Sequence, residues 1–434
     1  MQFERHWRQV SWAVLDKSLP LVFGVGFMLL VVRVLPAGEL GLQAIASTLL
    51  LTASQLLRFL FLVPLTKVVA EGTEPVRVAA TGASLYVLAS AGVALGLVAG
   101  RELWAGLFAK PALAAVLLPS AVLLAVGSAR DAVSATLEGE RRLQRLFWLD
   151  AAYYAVALGA LGFWRWSGVA RTATMIQWTQ AAAASAGSLL SVVCAWRALA
   201  ARPGRAQVAR LAGFGRYSFA TGLGTTVGQQ ADALLAGALM EPSAVASYHV
   251  AKLFFRVFNM LAQAISQVLM SLVSKLHAAG RARDLRVLYE KSVCFLHLAL
   301  LPVLVLLLLL APQVYALFYG PRYTDSIPVF RILTASALCL PFASVGSPFL
   351  LGLGRLRSLL AITWMGTILG IALAWLWIPH YGPSGAALAV LVAAVFGMVA
   401  RTVALQRQLG FTLRDVAWRT RDAVAFVRRH LRFS

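Results

Sequence analysis

The chain has 434 residues, of which 60% are hydrophobic and only 13% are charged. A water-soluble protein of this size does not reach that balance, because its surface needs more charge. Lysine and arginine total 39 against 17 acidic residues, which gives a net charge of +22. In so apolar a chain the basic excess reports first on membrane topology and anionic headgroups. The composition excludes a soluble enzyme or nucleic-acid-binding protein and predicts a polytopic membrane protein.

Apolar runs separated by glycine, proline and charged residues predict twelve helices along the chain. Most of these runs approach the roughly 20 residues that cross about 30 Å of hydrocarbon. We predict helices because a backbone in lipid must satisfy its own hydrogen bonds, and the alternating pattern of barrel strands is absent from the sequence. The predicted spans are residues 11–33, 41–69, 78–99, 112–136, 147–165, 172–196, 216–239, 245–273, 291–311, 327–352, 358–378 and 384–406.

Basic residues are unevenly distributed between the predicted loops. When successive loops are assigned to alternate sides, most lysines and arginines fall on the side that also holds both termini, with Arg130, Arg141 and Arg142 among them. The positive-inside rule then predicts that both termini are cytoplasmic. The first apolar run continues to Val32 without a small-residue cleavage site, so we expect an uncleaved first span.

Several short segments recur in the same order in the two halves of the chain. PLTKVVAEG from Pro64 resembles SLVSKLHAAG from Ser271, and LEGERRLQRLFW from Leu137 resembles LGLGRLRSLLAI from Leu351. Such an order of landmarks indicates an internal repeat with six spans in each copy. Because six is even, the copies share one orientation. The sequence therefore predicts two six-helix lobes related by a pseudo-two-fold axis along the membrane normal.

The predicted domains are an N-terminal six-helix lobe over residues 1–205, a C-terminal six-helix lobe over 206–410 and a tail over 411–434. The tail carries apolar residues at helical spacing from Leu413 to Leu431, with arginines around the remaining faces. This pattern predicts a basic amphipathic helix on the anionic cytoplasmic leaflet. A frayed basic tail is the alternative.

Polar side chains inside the predicted spans point to a hydrated interior, because charges at bilayer depth cost a few kcal/mol. In the eighth span, polar residues continue at helical spacing and must face protein or water rather than lipid. If the first helices of each half face one another, they enclose a net positive cavity that suits an anionic substrate, phosphate above all. The candidate substrate-binding residues are Arg58, Lys252, Arg256, Lys17, Asn259 and Gln263.

Two carboxylates in the spans are candidates for coupling transport to a proton or a sodium ion. Asp16 lies on the first span and Asp232 on the seventh. A buried carboxylate near cations changes its charge readily when its surroundings change. The alternatives are that Asp232 neutralises Lys252 or Arg256 structurally and that Lys17 extends to the cytoplasmic interface.

The sequence offers no catalytic or metal centre. A phosphate-binding loop, GxSxG and HExxH are absent, and histidines and cysteines are scattered, so we expect no cofactor beyond a coupling H⁺ or Na⁺. The predicted outer loops are short, including the longest one around FYGPRYTDS, which leaves no room for a catalytic domain. A transporter fits these features better than an enzyme.

Three further segments carry a family resemblance: VLPAGELGLQAIAS, FGRYSFATGLGTTVGQQADALLAGALMEPSAVASYHVA, and LFYGPRYTDSIPVFRIL followed by LGLGRLRS. In order and spacing these resemble the Wzx-type oligosaccharide flippases of the multidrug/oligosaccharidyl-lipid/polysaccharide (MOP) exporter superfamily. The resemblance implies a twelve-helix, two-lobed fold in the bacterial inner membrane. It also implies that undecaprenyl-pyrophosphate-linked units of O-antigen, capsule or exopolysaccharide move from the cytoplasmic to the outer leaflet by alternating access.

The same resemblance implies that the cationic cavity role falls on Arg58, Lys252 and Arg256, with Lys17 a further candidate. Implied partners are the lipid-linked oligosaccharide, the bilayer, a polysaccharide polymerase and a chain-length regulator. Lipid II flippases of the superfamily usually have fourteen spans, and its drug/cation antiporters favour an acidic cavity. A drug or lipid exporter of the same fold is the main alternative. A membrane-embedded polysaccharide polymerase or ligase is opposed by the short outer loops.

Overall fold

A computed structural model of the chain describes residues 2–72, 74–167, 171–199, 201 and 203–420. Some side chains within these ranges lie outside the described residues, among them Asp16, Lys17, Arg256 and Gln263. Over the part of the chain that is described, helices are joined by turns and no strand occurs.

Nine α-helices lie between the N-terminal region and Leu239 in the described residues. They are α1 (Gln2–Val34), α2 (Ala37–Leu57), α3 (Val63–Ala70), α4 (Pro75–Ala99), α5 (Arg101–Leu107), α6 (Leu113–Gly139), α7 (Leu143–Ser167), α8 (Ala173–Leu199) and α9 (Arg205–Leu239). A π-helical segment, Arg58–Leu62, joins α2 to α3 without interrupting the span.

The second half continues from Pro242. Its α-helices are α10 (Pro242–Ala278), α11 (Ala282–Leu309), α12 (Ala311–Phe318), α13 (Ile327–Ser336), α14 (Leu340–Gly352), α15 (Leu356–Leu409) and α16 (Leu413–Trp418). Two 3₁₀ segments, Pro321–Ser326 and Ala337–Cys339, flank α13. Within α15, Gly382 has φ 55° and ψ −134°, so α15 consists of two helices that meet at this glycine.

Seven helical segments in the described residues are long and apolar enough to cross a membrane. They are Ala37–Ala70, Pro75–Ala99, Leu113–Gly139, Leu143–Trp164, Ala282–Leu309, Pro321–Gly352 and Leu356–Leu409. The other predicted spans also coincide with helices, among them α9, which carries Gln229 and Asp232, and α10, which carries Lys252. The predicted all-α membrane fold is confirmed.

The chain forms two compact units, Met1–Ala246 and Ser247–Ser434. The first unit includes α9, which packs against α2, the π-helical segment and α3. Lys110 reinforces this packing because its ammonium donates hydrogen bonds to the carbonyl of Gly237 on α9, at 2.7 Å, and of Phe108, at 2.9 Å. Partial burial lowers the pKa of Lys110. The predicted lobe limits at 205 and 206 stay a prediction.

Each unit contains a close helix contact at a glycine in the second of the two similar segments. A Cβ atom at Gly139 would lie 2.8 Å from the carbonyl oxygen of Thr66, and one at Gly352 would lie 2.6 Å from Cγ1 of Val273. Thr66 lies in PLTKVVAEG and Val273 in SLVSKLHAAG. A side chain at either glycine would overlap the neighbouring helix, so both positions favour glycine. The internal repeat stays a prediction.

The described start of the predicted tail is attached to the second unit. Phe411 is buried, with its ring centre 4.6 Å from that of Tyr289 on α11. The buried carboxylate of Glu290 accepts hydrogen bonds from Arg286, at 2.8 Å, and Arg419, at 2.9 Å. Residues 421–434, most of the predicted amphipathic helix, lie outside the described residues.

Asp415 adds a second tie between the tail and α11. Its carboxylate accepts a hydrogen bond from Arg286 at 2.7 Å and from the backbone N–H and hydroxyl of Thr412 at 2.7 and 2.9 Å. These donors hold the pKa of Asp415 below its usual range, Thr412 contributing most. The start of the tail is therefore held by buried aromatic packing and by a charged network.

Candidate anion-binding site

Arg58 is the first residue of the π-helical segment. π-Helical turns inside α-helices frequently occur at functional sites. The segment is pressed against α9, where a Cβ atom at Gly215 would lie 2.5 Å from the carbonyl oxygen of Leu60, and one at Gly222 would overlap the ring of Phe59. Close packing of Phe59 and Leu60 on α9 therefore fixes the backbone from which Arg58 projects.

The Arg58 side chain is 57% exposed although it belongs to a helical segment of membrane length. Its Nη2 atom lies 3.8 Å from Oε2 of Glu138 at the end of α6, and Glu138 is 33% exposed. Arg58 also interacts electrostatically with Asp131 and Tyr86. An ion pair this long and this exposed contributes only about 0–1 kcal/mol. Arg58 can therefore exchange a carboxylate for another anion at little cost.

Behind Arg58 lies a buried ion pair between α6 and α7. Arg130 Nη2 and Asp150 Oδ1 are 2.7 Å apart, and their side chains are only 13% and 12% exposed. The Arg130 guanidinium also lies 4.0 Å from the ring centre of Tyr153, in a cation–π contact. The Arg130 backbone N–H donates to the hydroxyl of Ser188 on α8 at 3.3 Å. These contacts hold Arg130 in one position.

Asp131 connects the buried pair to the exposed part of the cluster. Its Oδ1 lies 3.8 Å from Nη1 of Arg130, and its Oδ2 accepts a hydrogen bond from the hydroxyl of Tyr86 at 3.3 Å. Tyr86 is buried, whereas the Asp131 side chain is 41% exposed. Asp131 is thus a partly exposed carboxylate that contacts buried partners.

In the second unit, the predicted polar stripe follows α10. Lys252 is half-buried, with Nζ 5.9 Å from the ring centre of Tyr248, and Asn259 donates from Nδ2 to the carbonyl of Phe255 at 3.1 Å. Ser266 donates to the carbonyl of Ser344 on α14 at 2.6 Å, so this part of the stripe faces protein.

The remaining predicted residues are only partly described. Arg256 and Gln263 lie on α10, and Asp16 and Lys17 on α1, with their side chains outside the described residues. Asp232 is half-buried on α9. Of the residues singled out by sequence, Lys252, Arg256, Asn259 and Gln263 share one helix, while Arg58 pairs with Glu138, which the sequence did not single out.

The sequence analysis missed Asp131, Asp150 and the inward position of Arg130. It counted Arg130 with the cytoplasmic-side loops, whereas Arg130 lies inside α6 and is largely buried. A signal was available, because the adjacent Arg130 and Asp131 fall within the predicted span 112–136, where charges are costly. The partner of Arg130 could not be found this way, since Asp150 belongs to the next helix.

Comparison with solved structures defines the class of protein. The fold matches that of an inward-facing multidrug resistance MATE family transporter of the MOP superfamily, with a TM-score of 0.72 and 16% identity over 92% of this chain and 99% of that one. It also matches the lipid II flippase MurJ in an inward closed conformation, with a TM-score of 0.73 and 12% identity over 94% and 89% of the two chains. The protein has the fold of MOP superfamily transporters.

Residues 30–328 match the family described as polysaccharide biosynthesis protein, and this protein belongs to that family. A curated relative, an uncharacterized membrane protein of Methanocaldococcus jannaschii, is 28% identical over 156 residues. That match covers 36% of this chain and only 30% of the relative's length. The resemblance predicted from sequence is confirmed by the match to the polysaccharide biosynthesis family and by the fold shared with MOP superfamily transporters.

Proposed function

We propose that this protein carries oligosaccharide repeat units linked to undecaprenyl pyrophosphate from the cytoplasmic to the outer leaflet of the bacterial inner membrane. The observation that carries the proposal is the Arg58 guanidinium, which is 57% exposed within a segment of membrane length. A cation there is costly unless it serves a hydrated site, and phosphate oxygens are its best-matched ligands. Membership of a polysaccharide biosynthesis family supports this substrate class.

In the proposed mechanism, the pyrophosphate enters from the cytoplasmic side and binds Arg58, Lys252 and Arg256. Lys17, Asn259 and Gln263 contribute further polar contacts, and the polyprenyl chain stays in lipid. Arginine meets phosphate through two parallel hydrogen bonds, whereas lysine acts as a point charge. Access then alternates between the two sides of the membrane, and the transported unit passes to a polysaccharide polymerase and a chain-length regulator.

Coupling to a proton or sodium gradient is a further part of the proposal, with Asp16 and Asp232 as its candidate carboxylates. Carboxylates in spans change charge when cations or anions approach. Both termini are proposed to be cytoplasmic, following the positive-inside rule.

Charge removal at the proposed site tests the function. Arg58→Ala and Arg256→Ala are each expected to abolish export, so that lipid-linked oligosaccharide accumulates and surface polysaccharide is lost while the protein still reaches the membrane. Arg58→Lys keeps the charge but not the paired hydrogen bonds and should retain part of the export. Arg283→Gln, at an exposed position at the start of α11, is the matched control and should leave export unchanged.

The result that contradicts the proposal is normal surface polysaccharide in both alanine variants. Accumulation of lipid-linked units on the outer leaflet would indicate a polymerase instead. Altered drug resistance on gene deletion, with unchanged glycans, would indicate a drug exporter of the same fold.

A further inference from the structure

The carboxylates around Arg58 have a consequence for how an anion binds there. Glu138 lies 3.8 Å from the Arg58 guanidinium, and Asp131 faces Arg58 electrostatically. Both carboxylates are partly exposed, at 33% and 41%. An anion that binds Arg58 must therefore take the guanidinium from these carboxylates or add its negative charge beside theirs.

When an anion occupies Arg58, Arg130 cannot replace it as the cation beside Asp131 and Glu138. The Arg130 guanidinium is held beside Asp150 and the Tyr153 ring, and its backbone N–H binds Ser188. It remains 3.8 Å from Asp131. Turning it toward Asp131 would leave the Asp150 carboxylate buried without its cation, which is strongly unfavourable.

The titratable groups that act on Asp131 are three charged side chains and one neutral hydroxyl. The charged groups are Arg130 on the same helix, Arg58 on the π-helical segment and Asp150 on α7, and the hydroxyl is that of Tyr86 on α4. Among the described side chains of this cluster, the three carboxylates Asp131, Glu138 and Asp150 face two guanidinium groups. The cluster thus has more negative than positive side chains, and an anion at Arg58 adds further negative charge. A proton bound to one of the partly exposed carboxylates would compensate this added charge.

We propose that Asp131 takes up a proton when the anionic headgroup of the substrate binds Arg58, so that substrate binding on this unit is linked to proton uptake. This inference rests on the proposed function. Asp131 is the favoured acceptor over Glu138 because its hydrogen-bond partner, the Tyr86 hydroxyl, is neutral and can donate to or accept from either form of the carboxyl group. Asp150 is excluded because its charge is needed by Arg130.

The proposed proton uptake can be measured through the pH dependence of the binding affinity. If one proton is taken up on binding, the affinity falls as the pH rises, by up to tenfold per pH unit. The fall begins above the pH at which Asp131 ionises in the free protein. It ends above the pH at which Asp131 ionises in the complex. A binding site without a linked proton has a flat profile over the same range.

The experiment measures the dissociation constant of a short-chain prenyl-pyrophosphoryl-N-acetylglucosamine for the full-length protein in nanodiscs. This probe is a pyrophosphate diester, so its own charge stays constant between about pH 5 and about pH 8. We expect wild-type affinity to fall with rising pH and Asp131→Asn to have a flat profile, with binding at about pH 8 at least as tight as wild type. Asp325→Asn, an exposed carboxylate in the second unit, is the matched control and should keep the wild-type slope.

Proton uptake is also measured directly on the wild-type protein, by calorimetry in buffers of different ionisation enthalpy, so that the test does not depend on a variant folding. A flat wild-type profile without proton uptake would overturn the linkage. An unchanged slope in Asp131→Asn, or a slope lost only in Glu138→Gln, would overturn the assignment to Asp131. Failure of the probe to bind at every pH would instead contradict the proposed function.

Discussion

The buried pair of Arg130 and Asp150 predicts a large loss of stability when one partner is removed. Both side chains are less than 15% exposed, and the bond between them is 2.7 Å long. Removing one member of a buried pair leaves an uncompensated charge and typically costs about 3–5 kcal/mol. We expect Asp150→Ala to lower the free energy of unfolding by about 3 kcal/mol, the lower end, because the Tyr153 ring still contacts the guanidinium.

The double variant Arg130→Met, Asp150→Leu separates a charge effect from a packing effect. Replacing both charges by apolar groups is often nearly neutral, so the double variant should be more stable than Asp150→Ala. With the single variants Arg130→Met and Asp150→Leu it should give a coupling energy of at least about 2 kcal/mol. Unfolding is followed by circular dichroism in detergent. The exposed pair Arg281 and Asp284 is the control, and Asp284→Ala should cost less than about 1 kcal/mol. Additive losses in the two single variants and their double would refute the reasoning.

Three further predictions follow from other contacts. Gly139→Ala should cost about 1–3 kcal/mol by overpacking against α3, whereas Gly92→Ala, with no neighbour within 4 Å, should be neutral or slightly stabilising; the same unfolding assay compares them. Glu290→Gln should weaken its bond to Arg419 of the tail and its bond to Arg286, which itself binds Asp415 of the tail. Faster tryptic cleavage of the tail would reveal this, and unchanged cleavage would contradict it. The pKa of Asp415 is lower in the folded than in the unfolded protein, where it is near 4. Asp415 therefore stabilises tail attachment above the unfolded pKa, and this contribution is lost as the pH falls through the folded pKa. Trp418 fluorescence should change in that acidic range in wild type and not in Asp415→Asn.

The helices could be predicted from the sequence because each contains a long apolar run, and such a run is visible in the local composition. The contacts between helices that position the site could not be predicted from the sequence. Pairing of Arg130 with Asp150 joins two helices, and no periodicity specifies which charges meet. The π-helical turn at Arg58 likewise arises from packing of Phe59 and Leu60 on α9, which has no signal in the residues around Arg58 themselves.

Electrostatic interpretation of the site also changed with the structure. The sequence predicts a net positive cavity, because Lys17, Arg58, Lys252 and Arg256 outnumber Asp16 and Asp232. On the first unit, Arg58 instead faces Glu138 and Asp131, which lie about two helical turns apart on α6. Glu138 lies just beyond the predicted span 112–136 and therefore counts as a loop residue in the sequence, whereas Asp131 lies within that span and carried a signal that was missed.

The most direct test of the central claim is the leaflet distribution of lipid-linked oligosaccharide in cells that lack the gene. Sugar units exposed on the outer leaflet are labelled in spheroplasts and compared with the total after lysis, with and without the wild-type gene or Arg58→Ala. The account predicts accumulation on the cytoplasmic leaflet in the deletion strain, restored export with the wild-type gene and none with Arg58→Ala. An outer-leaflet fraction that is unchanged by the deletion, in a strain without a second flippase, would contradict it.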